Sequence, residues 1–138
     1  MNKSNLTILL ILVGVVSIFI TANLFYAQYN AYRFTFPADL TVSERAGFNL
    51  DTDGLHFSYV TPKTENIKTL NITSPPFTSK LEITAKGPIA QFLRSPNNGE
   101  ILNASTQKEI TIIASLNENA VMNETYTGTV SIKFKKVS

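Results

Sequence analysis

Few side chains in this sequence have the chemistry of a catalytic or metal centre. The chain holds no Cys and one His, His56. Without Cys there are no disulfides, thiolate ligands or thiol nucleophiles. A single His excludes His-rich zinc sites and leaves little for general-base chemistry. Asp51-Thr52-Asp53-Gly54 has the spacing of the start of a calcium loop. A full EF-hand loop needs further oxygen ligands and a distal Glu, and both are missing. Asp-Gly between two alternating runs is a hairpin signal, because Gly tolerates the positive φ of the turn, so Gly54 is expected at a hairpin. His56 lies between Leu55 and Phe57, and strand alternation turns it away from their face, toward solvent. No Ser-His-Asp order, Gly-rich phosphate loop or carboxylate pair suited to acid–base catalysis is present. The expectation is a protein that is not an enzyme, with no catalytic residue, cofactor or metal.

Charge narrows the partners. Twelve Lys+Arg against 10 Asp+Glu give a net charge of +2 over 138 residues, too little for nucleic acid, which demands a concentrated basic surface. Lys133, Lys135 and Lys136 are the densest basic group. Alternation places Lys133 and Lys135 on a wet face, where lysines discourage edge-to-edge pairing; attraction to anionic headgroups is the other reading. Asn71-Ile72-Thr73, Asn103-Ala104-Ser105 and Asn123-Glu124-Thr125 are glycosylation sequons, so Asn71, Asn103 and Asn123 are candidate acceptors if the domain is external. A fourth, Asn5-Leu6-Thr7, falls at the inner mouth of an apolar segment, out of reach of external glycosylation.

That segment comes first among the elements. Residues 4 to 32 carry no charge, and Leu6 to Ala27 is dominated by Leu, Ile, Val and Phe. Its 22 residues would rise about 33 Å as a helix, enough to cross a hydrocarbon core of roughly 30 Å. The competing reading is a cleaved signal peptide. Ala22, Ala27 and Ala31 follow Ile20, Phe25 and Tyr29 at two places' remove, a poor match to small-x-small cleavage sites. An uncleaved transmembrane anchor over residues 1–32 is expected. Lys3 and the amino terminus precede it and Arg33 follows, which favours a cytoplasmic amino terminus and an extracytoplasmic carboxy-terminal domain. Phe25, Tyr26, Tyr29 and Tyr32 form an interfacial belt at the far end. Gly14, Ser17 and Thr21 share a face through which two such helices could associate.

From residue 33 the pattern changes to short alternating runs. They are Arg33 to Phe36 (stopping at Pro37), Leu40 and Val42, Phe48 and Leu50, Leu55 to Tyr59, Ile67 to Thr73, Leu81 to Lys86, Ile110 to Leu116, and Val130 to Lys135. Pro88 to Leu93 suits one short helical turn. Residues 33–138 therefore read as an all-β, immunoglobulin-like sandwich of about seven strands. Tyr126, close to the start of the last strand, is placed to bond back to upstream backbone and fix a corner between sheets. Gly128 permits a bend or a close backbone contact. Phe34, Phe36, Leu40 and Val42 are expected to complete one core, although residues 33 to 46 could instead pair with a neighbour's sheet edge.

Gly47-Phe48-Asn49-Leu50-Asp51-Thr52-Asp53-Gly54-Leu55-His56-Phe57, with Ala85-Lys86-Gly87-Pro88-Ile89 and Tyr126-Thr127-Gly128-Thr129-Val130, resembles small archaeal membrane-anchored proteins with a single immunoglobulin-like domain. Two departures stand out. The resemblance implies Gly after the aromatic at Phe57 and a Pro-Gly turn soon after, where this chain has Ser58 and Thr61-Pro62-Lys63. These motifs define a fold and no chemistry, and similar domains have no assigned biochemical role.

The function expected is a non-enzymatic, membrane-anchored module of the cell envelope that contacts the bilayer and a protein partner. The alternatives are a filament or motility component (archaellum stator-like or pilus-associated) and an accessory subunit of a membrane complex.

Overall fold

The computed structural model describes residues 3–30, 32–45, 47 and 53–137. It divides into two compact units, Met1–Tyr32 and Arg33–Ser138. The expected run at Phe48 and Leu50, with Asp51, lies outside the described residues.

The first unit is one helix, α1 (Lys3–Asn30). Within it Ser4–Ala27 has a mean hydropathy of 2.7 and none of that window is buried within the protein. It is long and apolar enough to cross a membrane, a property that anchors and signal sequences share. Two of its polar side chains turn inward onto the helix. Thr21 donates to the Ser17 carbonyl at 2.8 Å and Asn23 to the Phe19 carbonyl at 2.9 Å. Bonds of this kind satisfy groups for which lipid offers no partner.

The second unit is two β-sheets. Its strands are β1 (Arg33–Val42), β2 (Leu55–Val60), β3 (Glu65–Thr73), β4 (Ser79–Lys86), β5 (Leu93–Arg94), β6 (Ile101–Leu102), β7 (Gln107–Ser115) and β8 (Thr125–Lys136). One sheet has the order β2-β1-β8-β4-β6 and the other β3-β7-β5. All pairings are antiparallel among these except β1 with β2. A 3-10 turn at Pro88–Phe92, where the sequence placed its short helical turn, buries Ile89 and Phe92. Leu40, Val42, Leu55, Phe57, Leu81 and Ile132 from the larger sheet, and Ile110, Ile112 and Ala114 from the smaller, are all buried. The unit is thus mostly β and sandwich-like.

Three expectations need correction. First, β1 does not stop at Pro37 but runs on to Val42. Proline lacks an N–H and is tolerated where no strand lies on its free side; β2 joins only at Leu55, opposite Ala38. Second, Phe34 is not core. It shares a face with the buried Ala38, Leu40 and Val42 but is 42% exposed, packing edge-on to Phe134 at 6.5 Å. Third, Gly54 lacks the positive φ expected of it, since the glycines with positive φ among the described residues are Gly87 and Gly99; the first arm of the expected hairpin, Phe48 and Leu50, lies outside the described residues, and the strand after Gly54 pairs with β1 in parallel. Gly54 is needed for closeness instead: a Cβ there would lie 2.9 Å from both Cγ and the carbonyl oxygen of Pro37.

The β1–β2 pair is irregular at one point. Asp39 is opposite His56 and Thr41 opposite Tyr59, so β2 carries one extra residue. Ser58, at φ 54°, is that bulge. It resets the alternation, so that Val60 is buried and Tyr59 is 51% exposed. Bulges turn a side chain over in this way at small cost to the ladder.

Candidate functional site

The described residues with the most concentrated chemistry meet beside Gly54. Asp39 on β1 and His56 on β2 are register partners, and His56 Nδ1 is hydrogen-bonded to Asp39 Oδ2. His56 Nε2 reaches Asp53 Oδ1 at 2.9 Å. The imidazole is 19% exposed, against 36% for Asp39 and 81% for Asp53. His56 does turn away from the Leu55 and Phe57 face, but it is held between two carboxylates and is not an exposed strand histidine. Hydrogen bonds to Asp39 and then Asp53 raise its pKa above the ordinary 6.5, against a lesser opposing effect of burial.

This geometry limits the chemistry. The carboxylates sit on opposite ring nitrogens, so the imidazole separates them and the three cannot converge on one cation. Among the described residues no group of His, Asp and Glu is arranged to hold a metal. With both nitrogens engaged, neither is open to take a proton from a substrate. The arrangement is suited to a clasp: an imidazolium donating to two carboxylates, tying β2 to β1 and to the turn before it.

Other residues singled out by the sequence are dispersed. Tyr126 is buried, its ring edge-on to Phe92 at 4.7 Å. Its hydroxyl accepts from the Val121 N–H at 3.1 Å and donates to Glu124 at 3.0 Å. Gly128 lies against β4, where a Cβ would come 2.1 Å from the Lys86 carbonyl oxygen. Asn71 is exposed on β3, Asn103 in the turn after β6, and Asn123, at φ 63°, in the turn before β8. Gly14 has open space around the position of a Cβ.

Sequence reasoning missed how the two sheets are joined. Residues 95–100 run between them. Asn97 Oδ1 accepts from the Thr111 N–H of β7, and Asn98 Oδ1 from the Ile83 N–H of β4, each at 2.8 Å. Glu100 adds an ion pair to Lys108 at 2.6 Å. The Lys108 bond, then that from Asn97, holds the Glu100 carboxyl below its ordinary pKa. Beside this segment a cleft of about 290 Å³ opens, lined by Ile83, Ala85, Leu93, Ile112, Val130 and Asn98 among others.

No protein-family model, no curated protein and no solved structure matches this chain. Function must therefore be argued from the residues themselves.

Proposed function

We propose that this protein is a non-enzymatic, membrane-anchored module whose β-domain works outside the cytoplasm, contacting another component of the envelope or of a membrane complex. The observation that carries the reading is α1. A 24-residue apolar span without burial exposes side chains such as Ile18, Phe19 and Leu24 at 72%, 71% and 66%. A soluble protein rarely leaves so large an apolar surface uncovered, whereas a bilayer covers it. In this reading the amino terminus is cytoplasmic, following Lys3.

The β-domain is read as a sandwich of immunoglobulin-like kind. The support is its two sheets and the Tyr126 hydroxyl, which returns to upstream backbone as a corner tyrosine does. A binding role is favoured over catalysis because the one histidine is already engaged on both sides. Gly14, with open space around it, leaves room for a second helix to approach along the face it shares with Ser17 and Thr21.

Carbonate washing of membranes, with the intact mass of the extracted chain and protease protection of the β-domain, tests this. The expected result is an unprocessed chain, resistant to carbonate, with its β-domain cleavable from outside. Recovery of a soluble chain beginning after Ala27 would establish a signal sequence and defeat the anchor.

A further inference from the structure

The register of the larger sheet gathers cations that are far apart in the sequence. Lys133 is opposite Arg33 on one side and Glu82 on the other; in the next row Lys135 is opposite Lys80, and Lys80 is opposite Ile101. Residues directly opposite in an antiparallel ladder share a face. Arg33, Lys80, Lys133 and Lys135 thus occupy one corner of one face with a single carboxylate, Glu82, which pairs with Lys135 at 2.8 Å. Lys136 follows at the rim, its Nζ 5.9 Å from the Phe77 ring. Five of the chain's 12 Lys and Arg are concentrated here.

Apolar side chains accompany them. Ile101, on the same face as Lys80, is 62% exposed, and Val137, just past the end of β8, is 38% exposed, whereas Phe34 lies on the opposite, core face of β1. Exposed aliphatic groups thus stand among the lysines on this face. Cations surrounding exposed apolar groups match an anionic bilayer surface, where phosphates meet the charges and the acyl boundary takes the apolar groups. The covalent path to the bilayer is short as well. Arg33 comes six positions after Ala27, where the apolar span ends.

We propose that this corner, formed by Arg33, Lys80, Lys133, Lys135 and Lys136 with Ile101, docks on a bilayer surface bearing anionic headgroups. The inference rests on the membrane reading of α1. It adds a second, electrostatic contact that would restrain the β-domain at the lipid surface.

The chain has no Cys, so Thr78→Cys provides a unique attachment point for a fluorophore. Thr78 is exposed and its carbonyl accepts from Val137, beside the corner. Asn119→Cys, in the turn between β7 and β8, serves as the control. Each full-length chain is placed in vesicles of phosphatidylcholine alone or mixed with phosphatidylglycerol, with a quencher carried on the lipid. Quenching at position 78 is expected only with phosphatidylglycerol, and should vanish near 1 M salt, where the Debye length is about 3 Å. Each lysine changed to Gln among Lys80, Lys133 and Lys136 should weaken it on the order of fivefold. Equal quenching in the two bilayers, equal quenching at positions 78 and 119, or indifference to the Gln changes would overturn the proposal. Carbonate resistance reads the anchor separately. A chain washed from the vesicles defeats the anchor, and flotation of that chain with phosphatidylglycerol vesicles alone would still support the corner, whereas its failure to float would overturn it.

Discussion

Asn97 and Asn98 are neighbours in the chain, yet their side-chain oxygens end in different sheets, one on the Thr111 N–H of β7 and the other on the Ile83 N–H of β4. Each replaces a backbone acceptor that the two-residue strands β5 and β6 are too short to supply. Asn97→Ala, whose bond to Thr111 is part-buried, should destabilise by about 1–2 kcal/mol, and Asn98→Ala, whose exposed bond to Ile83 water can replace, by about 0.5–1 kcal/mol. Asn98→Asp, which keeps the acceptor, should recover most of the loss. Urea unfolding of the detergent-solubilised chain checks this, and full stability in both alanine variants would show that the two bonds contribute nothing.

Ser58 and Lys63 hold left-handed backbone, at φ 54° and 72°. Both stand where the family resemblance implied glycine. The Thr64 N–H returns to the Thr61 carbonyl at 3.2 Å, closing a turn with Pro62 and Lys63 at its centre. A non-glycine residue in this region costs roughly 1–2 kcal/mol. Ser58→Gly and Lys63→Gly should therefore each stabilise, by about 0.5–1 kcal/mol after the added chain entropy of glycine. A lower urea midpoint in both would contradict the strain.

Gly128→Ala should be severe, because the added methyl would lie 2.1 Å from the Lys86 carbonyl oxygen and 2.7 Å from Ile89 Cγ2. Backbone cannot yield as a flexible side chain does. A loss of about 3 kcal/mol or more is expected, at the upper end for overpacking, and a thermal melt like that of the wild type would disprove the close approach.

Tyr126→Phe keeps the ring against Phe92 and removes the hydroxyl that Val121 and Glu124 share. A loss of about 1–2 kcal/mol is expected. Hydrogen exchange at the Val121 amide should quicken more than exchange in β7. Uniform acceleration across the domain would instead mean that the hydroxyl has no local role.

The His56 clasp gives stability a pH dependence of known sign. Its folded pKa is raised by Asp39 and Asp53, so its contribution is complete below the unfolded value near 6.5 and is lost as pH rises through the folded value. The stability gap between wild type and His56→Gln should be widest on the acid side and close as pH rises through the raised folded value. A gap that widens with rising pH would mean the histidine is held neutral.

Much of this architecture is legible in alternation. Leu81 and Ile83 against Glu82 and Thr84, or Ile110 and Ile112 against Thr111, mark their strands because one face is buried and the other wet. Leu93–Arg94 and Ile101–Leu102 left no such mark, since two residues cannot display a period of two. The partners of His56 divide the same way. Asp53 stands three positions before it and was open to notice, but Asp39 is 17 positions away and arrives only through a parallel pairing that no local pattern announces. The basic corner was half visible. Lys133, Lys135 and Lys136 stood out as a run, whereas Arg33 and Lys80 join them only through register.

The placement of β8 has a consequence for biosynthesis. It lies between β1 and β4 and follows the other seven strands of the described residues. Until it emerges from the ribosome, the β1–β2 pair and the β4–β6 pair have no ladder between them. Through that interval a nascent chain carries the unpaired edges of β1 and β4. Loss of β8 alone would thus leave two separate fragments of sheet, a ready substrate for proteolysis.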